Sequence, residues 1–314
     1  MASVYADTQF DNPGRRGGRA AGQRAFVLVT LVPASVAILL FWIYPIVNGL
    51  YGSFTDWRAF QTERSWIGLD QYRALWNDDT FREALVNTGQ YVLLYLPLNV
   101  AIGLLLALAV ENSGRARGFF RTVYFLPVVA SAIATALMFK WLYQPQLGLF
   151  NRLFEVVGLP GQSYLRSTSQ ALPSIVFYSL WKNVGLTMVL FMAGLNGIDR
   201  SYYEAAKVDG AARLRLFFGI TLPLLRPTLV FVIITGIIET LQVFGPVYIM
   251  STADANGLPG GPSNSTMTVA VYQWQAAFND QNLGYGMAMG MVLFFIILIV
   301  TLAQSRFLRQ AWEY

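Results

Sequence analysis

The chain has 314 residues, of which 55% are hydrophobic and only 12% charged. An ordinary soluble domain carries roughly 25% charged residues, so this is the composition of a membrane protein. The net charge is a modest +5, with no cysteine and no histidine. That removes disulfides, thiolate and imidazole metal sites, and Ser-His-Asp or Cys-His catalysis. The expectation is an all-α integral membrane protein that is not an enzyme, holds no metal or cofactor of its own and has no nucleic-acid partner.

The first 25 residues contain Gly14, Gly17 and Gly18 among Arg15, Arg16, Arg19 and Arg24, and read as a flexible basic tail able to touch anionic lipid. Six apolar stretches follow, each close to the ~20 residues a spanning helix needs. They cover roughly 26–50, 88–110, 122–143, 172–196, 227–250 and 283–305. The first is too long for a signal peptide, lies behind a polar leader and is followed by no small-residue cleavage site. Residues 51–84 carry Trp57, Trp66, Tyr72 and Trp76 and suggest short helices between spans one and two. Residues 251–265 are rich in Gly, Pro, Ser and Asn and read as an irregular loop. Within it Asn264-Ser265-Thr266 fits a glycosylation triplet, a pattern common by chance. Tyr272, Trp274 and Phe278 form an aromatic run suited to interfacial anchoring or to holding an outer partner. A tail, 306–314, closes the chain.

Basic residues assign the sides. Arg115, Arg117 and Arg121, then Arg200, Lys207, Arg213, Arg215 and Arg226, then Arg306 and Arg309 fall on the side of the leader. The other side holds only Arg58, Arg64, Arg73, Arg82, Arg152 and Arg166. By the positive-inside rule both termini are cytoplasmic.

The cytoplasmic segment 197–226 between spans four and five is unusual. Ser201 and Glu204 have the spacing of a capping box, Ala205, Ala206 and Lys207 favour helix, and Asp209-Gly210 supplies a turn. A second short helix is expected over 211–219, with Leu214, Phe217 and Phe218 on one face. Pro223 and Pro227 mark the return into the membrane. The result is a compact helix–turn–helix with an apolar ridge, a shape suited to docking or to an ordinary interfacial loop.

Glu204-Ala205-Ala206, Gly210, Ile220, Leu222 and Pro223 fit E-A-A-x-x-x-G-x(9)-I-x-L-P at every fixed position. This resembles the EAA loop of bacterial ABC importer permeases, and "YYEAAKVDGA" with "ITLP" resembles the carbohydrate-uptake branch of maltose and glycerol-phosphate type. The likeness extends to "WIGLDQYRALWNDDTFREALVNT" (66–88), "GFFRTVYFLPVVASAIATALMFKWLY" (118–143) and "LGYGMAMGMVLF" (283–294). The short first outer loop departs from the maltose member, which has a large extra domain there. The resemblance implies a six-helix type I importer permease in the bacterial inner membrane, one half of a translocation pathway. It implies a second, usually different, permease subunit, two cytoplasmic ATPase subunits that bind ATP and Mg, and an extracytoplasmic solute-binding protein. Glu204, Ala205, Ala206, Gly210, Ile220, Leu222 and Pro223 would couple to the ATPase, with Glu204 pairing to a basic residue there, capping its own helix, or both.

Transporter sites lie near the midplane, on polar positions of apolar helices. In span four Ser179, Asn183 and Leu186 share a helical face; in span five Gly236, Thr240 and Val243 repeat the spacing. By resemblance the matching positions of the maltose member face its sugar. Tyr178, Trp181, Gln242 and Tyr248 could assist, and packing between helices is the competing role for each. Lys182 and Glu239 fall at similar depth, so Lys182 either pairs with Glu239 or meets substrate, whereas Lys140 is expected to snorkel. A sugar fits these residues best. A glycerol-phosphate ester is the alternative within the branch, and a stand-alone secondary transporter or channel the alternative outside it.

Overall fold

The structure, a computed structural model, describes residues 29–61, 63–252 and 259–309; the basic leader, part of the 251–265 loop and the end of the C-terminal tail lie outside the described residues. The chain divides into residues 1–51 and 52–314. The described part of the first unit is an apolar helix, Val29–Gly52 (α1), with a π-type turn at Leu39–Ile43.

The second unit opens with a small antiparallel hairpin, Thr55–Asp56 (β1) against Ser65–Trp66 (β2), and a short helix, Asp70–Trp76 (α2). Asp78 then caps the long helix Asp79–Glu111 (α3): its carboxylate accepts the N–H groups of Thr80 and Phe81 at 2.8 and 3.2 Å. The helix therefore starts nine residues before the apolar run that marks the span in the sequence, and at 1.5 Å per residue it outreaches a ~30 Å hydrocarbon core.

The third span is not one helix. Arg117–Val129 (α4) and Ala132–Leu142 (α5) meet at 93°. The break falls where Ala130 turns extended, at φ −64° and ψ 149°, and Ser131 caps the next helix; Pro127, inside α4, lacks the N–H that would bond the Val123 carbonyl and so weakens the turn before it. After a short helix, Leu149–Val156 (α6), the fourth span is unbroken, Ala171–Asn196 (α7). Arg200–Val208 (α8) and Arg213–Leu224 (α9) form the polar segment. The fifth span, Arg226–Leu241 (α10), bends by 64° from α9 and stops nine residues short of the end its hydropathy suggested. Gly245-Pro246 starts a separate helix there, Gly245–Ser251 (α11), with proline in its first turn. Val269–Trp274 (α12), prolonged by a π-type turn at Gln275–Asn279, leads to the last span, Leu283–Arg309 (α13). Four unbroken helices are long and apolar enough to cross a membrane among the described residues, and the two bent pairs bring the number of spans to as many as six.

The most extensive helix contact is α3 on α7; α4 also packs on α7, and α10 on α3. Glycine permits the close approach of α4, because a Cβ on Gly185 would collide with the Tyr124 carbonyl oxygen. Such small-residue contacts carry helix association where no hydrophobic force operates between helices in lipid. Asn99 donates to Thr187 Oγ1 across α3 and α7 at 2.8 Å. The apolar core falls into two clusters. One, around Tyr91, Tyr178, Val247, Val269 and Met289, lies towards the end with the α11–α12 connection. The other, around Leu104, Val110, Met188, Phe191 and Leu225, lies towards the 197–226 segment.

Asp78 ties three helices together. Its second carboxylate oxygen accepts the hydroxyls of Tyr272 at 2.6 Å and Tyr285 at 2.5 Å, joining α3, α12 and α13. Burial pushes its pKa up, but the two phenols and the N–H groups of Phe81 and Thr80 outweigh burial and hold the carboxyl below the ordinary aspartate value of 3.8. A group depressed on folding stabilises above its unfolded pKa and loses that contribution as pH falls through the folded value. Asp78→Ala is expected to cost about 2–4 kcal/mol at neutral pH, from two charge-assisted hydrogen bonds and a helix cap. Thermal melts of the purified chain will show this gap at neutral pH and its narrowing below about pH 4.

Candidate functional site

The 197–226 segment folds as two helices around a glycine turn, with one change at its start. Asp199, not Ser201, is the N-cap: its carboxylate accepts the Ser201 N–H at 2.9 Å. Hydrogen bonds from the Ser201 backbone and hydroxyl hold the Asp199 carboxyl below the ordinary value. Ser201 and Glu204 are therefore inside α8 and form no capping box. The far end of α8 closes as a Schellman motif. The Ala211 N–H bonds the Ala206 carbonyl at 3.0 Å, the Gly210 N–H bonds the Lys207 carbonyl at 3.1 Å, and Gly210 takes φ +74°. This geometry sets an interval of four positions from the third-last helical residue to the left-handed one, which is the step from Ala206 to Gly210.

The second helix runs longer than expected. A π-type turn at Phe217–Thr221 carries it through Leu222, Pro223 and Leu224. Leu222 and Phe217 pack against the inner core cluster, and the Tyr203 hydroxyl meets Thr221 Oγ1 at 3.2 Å, fastening α8 to α9. Ile220 is half-buried beside them. The motif thus divides: Ile220 and Leu222, with neighbouring Thr221, are packed, Ala206 is half-buried, and Glu204, Ala205, Gly210 and Pro223 lie open. Glu204 makes no hydrogen bond or ion pair among the described residues. Tyr202, Val208, Leu214 and Phe218 add an exposed apolar surface around it.

The midplane residues separate into two groups. Ser179, Asn183 and Leu186 do share a face of α7, but Ser179 is buried beside Tyr91, while Asn183 and Leu186 stay open. On α10 the expected face is turned inwards. A Cβ on Gly236 would strike Leu96; Thr240 is buried with its hydroxyl donated to the Gly236 carbonyl at 2.7 Å; Val243 is buried. The open face lies one residue round, at Phe231, Glu239 and Gln242, with Thr235 on the same row. The repeat of 236, 240 and 243 matched a helical period and so did its neighbour; the sequence signal that separates them is polarity, since a glutamate and a glutamine do not face lipid cheaply. Tyr95 of α3, absent from the sequence candidates, places its hydroxyl beside Asn183 and near enough to Glu239 to feel its charge.

Tyr178 is fully buried, bonded to the Ala132 carbonyl at 3.0 Å and to Thr135 Oγ1 at 2.9 Å, and does not face a pathway. Trp181 is partly open against Phe139. Tyr248 packs between Phe244 and Trp274, so Trp274, like Tyr272, is turned into the fold; only Phe278 of that run is exposed.

Lys182 neither pairs with Glu239 nor reaches out. Its ammonium donates to the carbonyls of Pro127, Val128 and Ala130 at 2.7, 3.1 and 2.8 Å, and the residue is 7% exposed. These are the carbonyls the bend in span three leaves without intrahelical donors, and an ammonium has three protons to give. Lys140 acts similarly instead of snorkelling: it donates to the Thr252 carbonyl and hydroxyl, each at 3.0 Å, at the end of α11.

A family model described as "Binding-protein-dependent transport system inner membrane component" matches residues 99–312. A probable ABC transporter permease protein of Bacillus subtilis is 33% identical over 287 residues, covering 90% of this chain and 96% of its own length. The diacetylchitobiose uptake system permease protein of Streptomyces coelicolor is 32% identical, covering 91% and 85%. The fold matches that of a bacterial ABC transporter involved in the import of the acidic polysaccharide alginate, with TM-score 0.82 over 95% of this chain and 100% of that one, at 22% identity.

Proposed function

This chain belongs to the family of binding-protein-dependent transport system inner membrane components, and we propose that the solute it carries is a neutral sugar or short oligosaccharide. It is a permease subunit of an ABC importer, a multi-pass membrane protein that transports and performs no catalysis of its own. The observation that carries the choice of solute is the charge of the open polar stripe. Asn183, Glu239 and Gln242 offer hydrogen-bonding groups suited to hydroxyls, with a carboxylate among them. A phosphate ester calls for cationic donors. The two lysines within the spans, Lys140 and Lys182, spend their donors on backbone and hydroxyl oxygens. A glycerol-phosphate ester would therefore meet repulsion where a sugar meets acceptors. The uptake system of Streptomyces coelicolor, named for a disaccharide, supports the same reading.

In this reading Asn183, Leu186, Glu239 and Gln242 line the pathway, and a second, different permease subunit supplies the opposite wall. Two separate ATPase subunits bind ATP and Mg and grip the 197–226 loop, whose Glu204, Ala205 and Gly210 surface is the coupling contact. A binding protein delivers solute at the other end. Identification of the solute captured by the cognate binding protein, followed by uptake assays, tests the proposal: preference for an anionic ester would overturn it. Within the same framework Glu239→Gln is expected to leave assembly intact and to weaken discrimination against anionic sugars, measured by competition of uptake. Both termini and the 197–226 loop are cytoplasmic; reporter fusions after Arg213 and after Tyr143 should read internal and external respectively, and an external reading at Arg213 would reverse the orientation.

A further inference from the structure

A cavity of about 590 Å³ lies between α6, the 157–170 loop and the first turns of α7, at the end of the bundle opposite the 197–226 segment. Its walls are the rings of Tyr143, Phe150, Phe154, Tyr164 and Phe177, with Pro173 at one side and Ser169, Gln162 and Gln170 at the rim. The polar rim groups are largely spoken for. The Gln170 side-chain oxygen accepts the N–H groups of Ser163 and Tyr164, and its amide donates to Gln162 at 2.7 Å. What remains open inside is mainly carbon, and one polar group of the walls, the Tyr164 hydroxyl, has no hydrogen-bond partner among the described residues. Its volume is that of a ligand pocket, but it lacks the convergent polar groups that orient a polar ligand.

Two features say what it faces. Helix α6 is amphipathic: Leu149, Leu153 and Val156 stand in an exposed row, Arg152 and Glu155 border it on one flank, and Phe150 and Phe154 turn towards the cavity on the other. Exposed Leu147, Val157 and Leu159 flank it. A short helix of this kind at the end of a spanning bundle lies in the bilayer interface with its apolar side in the acyl region. The cavity is also lined by Pro173 and Phe177 of α7, whose row continues along the helix to Trp181. At about 100° per residue this row is roughly opposite Asn183 and Leu186, so it looks away from the polar stripe, where apolar side chains meet hydrocarbon.

We infer that this aromatic cavity is a lipid site, which seats one acyl chain of a phospholipid of the adjacent leaflet under helix α6. The chain enters beside Phe177 and lies against the rings of Phe150, Phe154 and Tyr164, with the headgroup left at the level of the Gln162 and Ser169 rim. Occupancy fills a void that would otherwise strip its lining of dispersion contacts and fixes the α6 loop to the outer ends of α5 and α7.

The test uses the full chain in vesicles of phosphatidylethanolamine and phosphatidylglycerol doped with a phosphatidylcholine carrying a diazirine at the end of one acyl chain. Photolysis and peptide mass spectrometry are expected to place adducts on the α6 peptide and on residues 164–177. Ser169→Trp closes the mouth from an exposed position without disturbing a packed side chain. Phe177→Ser makes the same wall polar from another exposed position. Each should reduce these adducts roughly tenfold, the worth of about two buried methylenes, while labelling of other spans holds constant. Even labelling of all lipid-facing helices, unchanged in both variants, would overturn the site. Loss of the adducts on adding soluble diacetylchitobiose would assign the rings to a sugar instead and overturn the lipid reading.

Discussion

Lys182→Met is expected to lower the stability of the assembled permease by about 2–5 kcal/mol and to remove most of the transporter recovered from membranes. The estimate weighs two opposed effects. Taking the ammonium away relieves its cost inside the membrane, ~2.5–3.5 kcal/mol on insertion scales. It also removes three hydrogen bonds from a charged donor, each worth ~1.5–3 kcal/mol, and leaves the carbonyls of Pro127, Val128 and Ala130 without that donor at a buried position. Interhelical hydrogen bonds in membranes average less, because the separated helices find other partners. Here that discount is small, since the three carbonyls lie at the break between α4 and α5 and not inside a regular helix. Lys182→Arg carries the charge in a planar fork that cannot aim at three converging carbonyls, and should recover only part of the loss. Glu239→Gln should leave the melting temperature unchanged, and the double variant should be additive to within about 0.5 kcal/mol, as for groups that do not touch. Recovery of stability in the double variant would restore an ion pair that the structure does not contain.

The same lysine shows what the sequence could and could not disclose. Its depth in span four was legible, and so was the need for a partner, because a bare ammonium in hydrocarbon is costly. The candidates visible in sequence were other charges. The real acceptors are backbone carbonyls, which every residue carries, and they are exposed only because α4 and α5 part at Ala130 and Ser131. Hydropathy runs smoothly across that break, as it does across the break after Leu241, so neither bend has a compositional mark beyond Pro127 and Pro246. Lys140 repeats the arrangement at the end of α11. Each of these lysines thus secures an irregular segment, one at the bend of span three and one beyond the end of span five, and both are spent on structure.

The 197–226 loop was far more legible, because its spacing is dictated by local geometry. A helix ending in a Schellman turn fixes the interval from Ala206 to Gly210 whatever the loop touches. The capping residue was misassigned because Ser201 and Asp199 are both good caps and the serine alone had a glutamate three residues on. Periodicity misplaced the face of α10 by one residue for a related reason: a single helix in a membrane is apolar nearly all round, so an i, i+4, i+7 row is weak information until a neighbour is known. Gly236, the first residue of that row, is where α3 packs, with Leu96 in the space a side chain would fill.

Because Asp199 performs the capping and Glu204 makes no hydrogen bond or ion pair among the described residues, replacement of Glu204 tests coupling. Glu204→Lys is expected to leave the melting temperature of the chain unchanged and to release the ATPase subunit on pull-down. Truncating or reversing one partner of an interfacial charge pair costs about 2–5 kcal/mol, which is roughly 30- to several-thousandfold in affinity. Uptake should fall accordingly. Gly210 supplies an independent arm. No atom of the described residues beyond its immediate neighbours lies within 4 Å of where its Cβ would stand, so a side chain there starts into open space. The cost inside the chain is the left-handed backbone at φ +74°, about 1–2 kcal/mol for most residues and less for asparagine. Gly210→Asn should therefore keep both the turn and uptake. Gly210→Trp, which projects a large ring from the tip of the loop, should keep the fold but block docking. Loss of uptake in the tryptophan variant alone places a partner surface directly against the tip. Equal loss in both variants would mean that the turn itself is what matters. Wild-type uptake in Glu204→Lys and Gly210→Trp together would remove the loop from the coupling path.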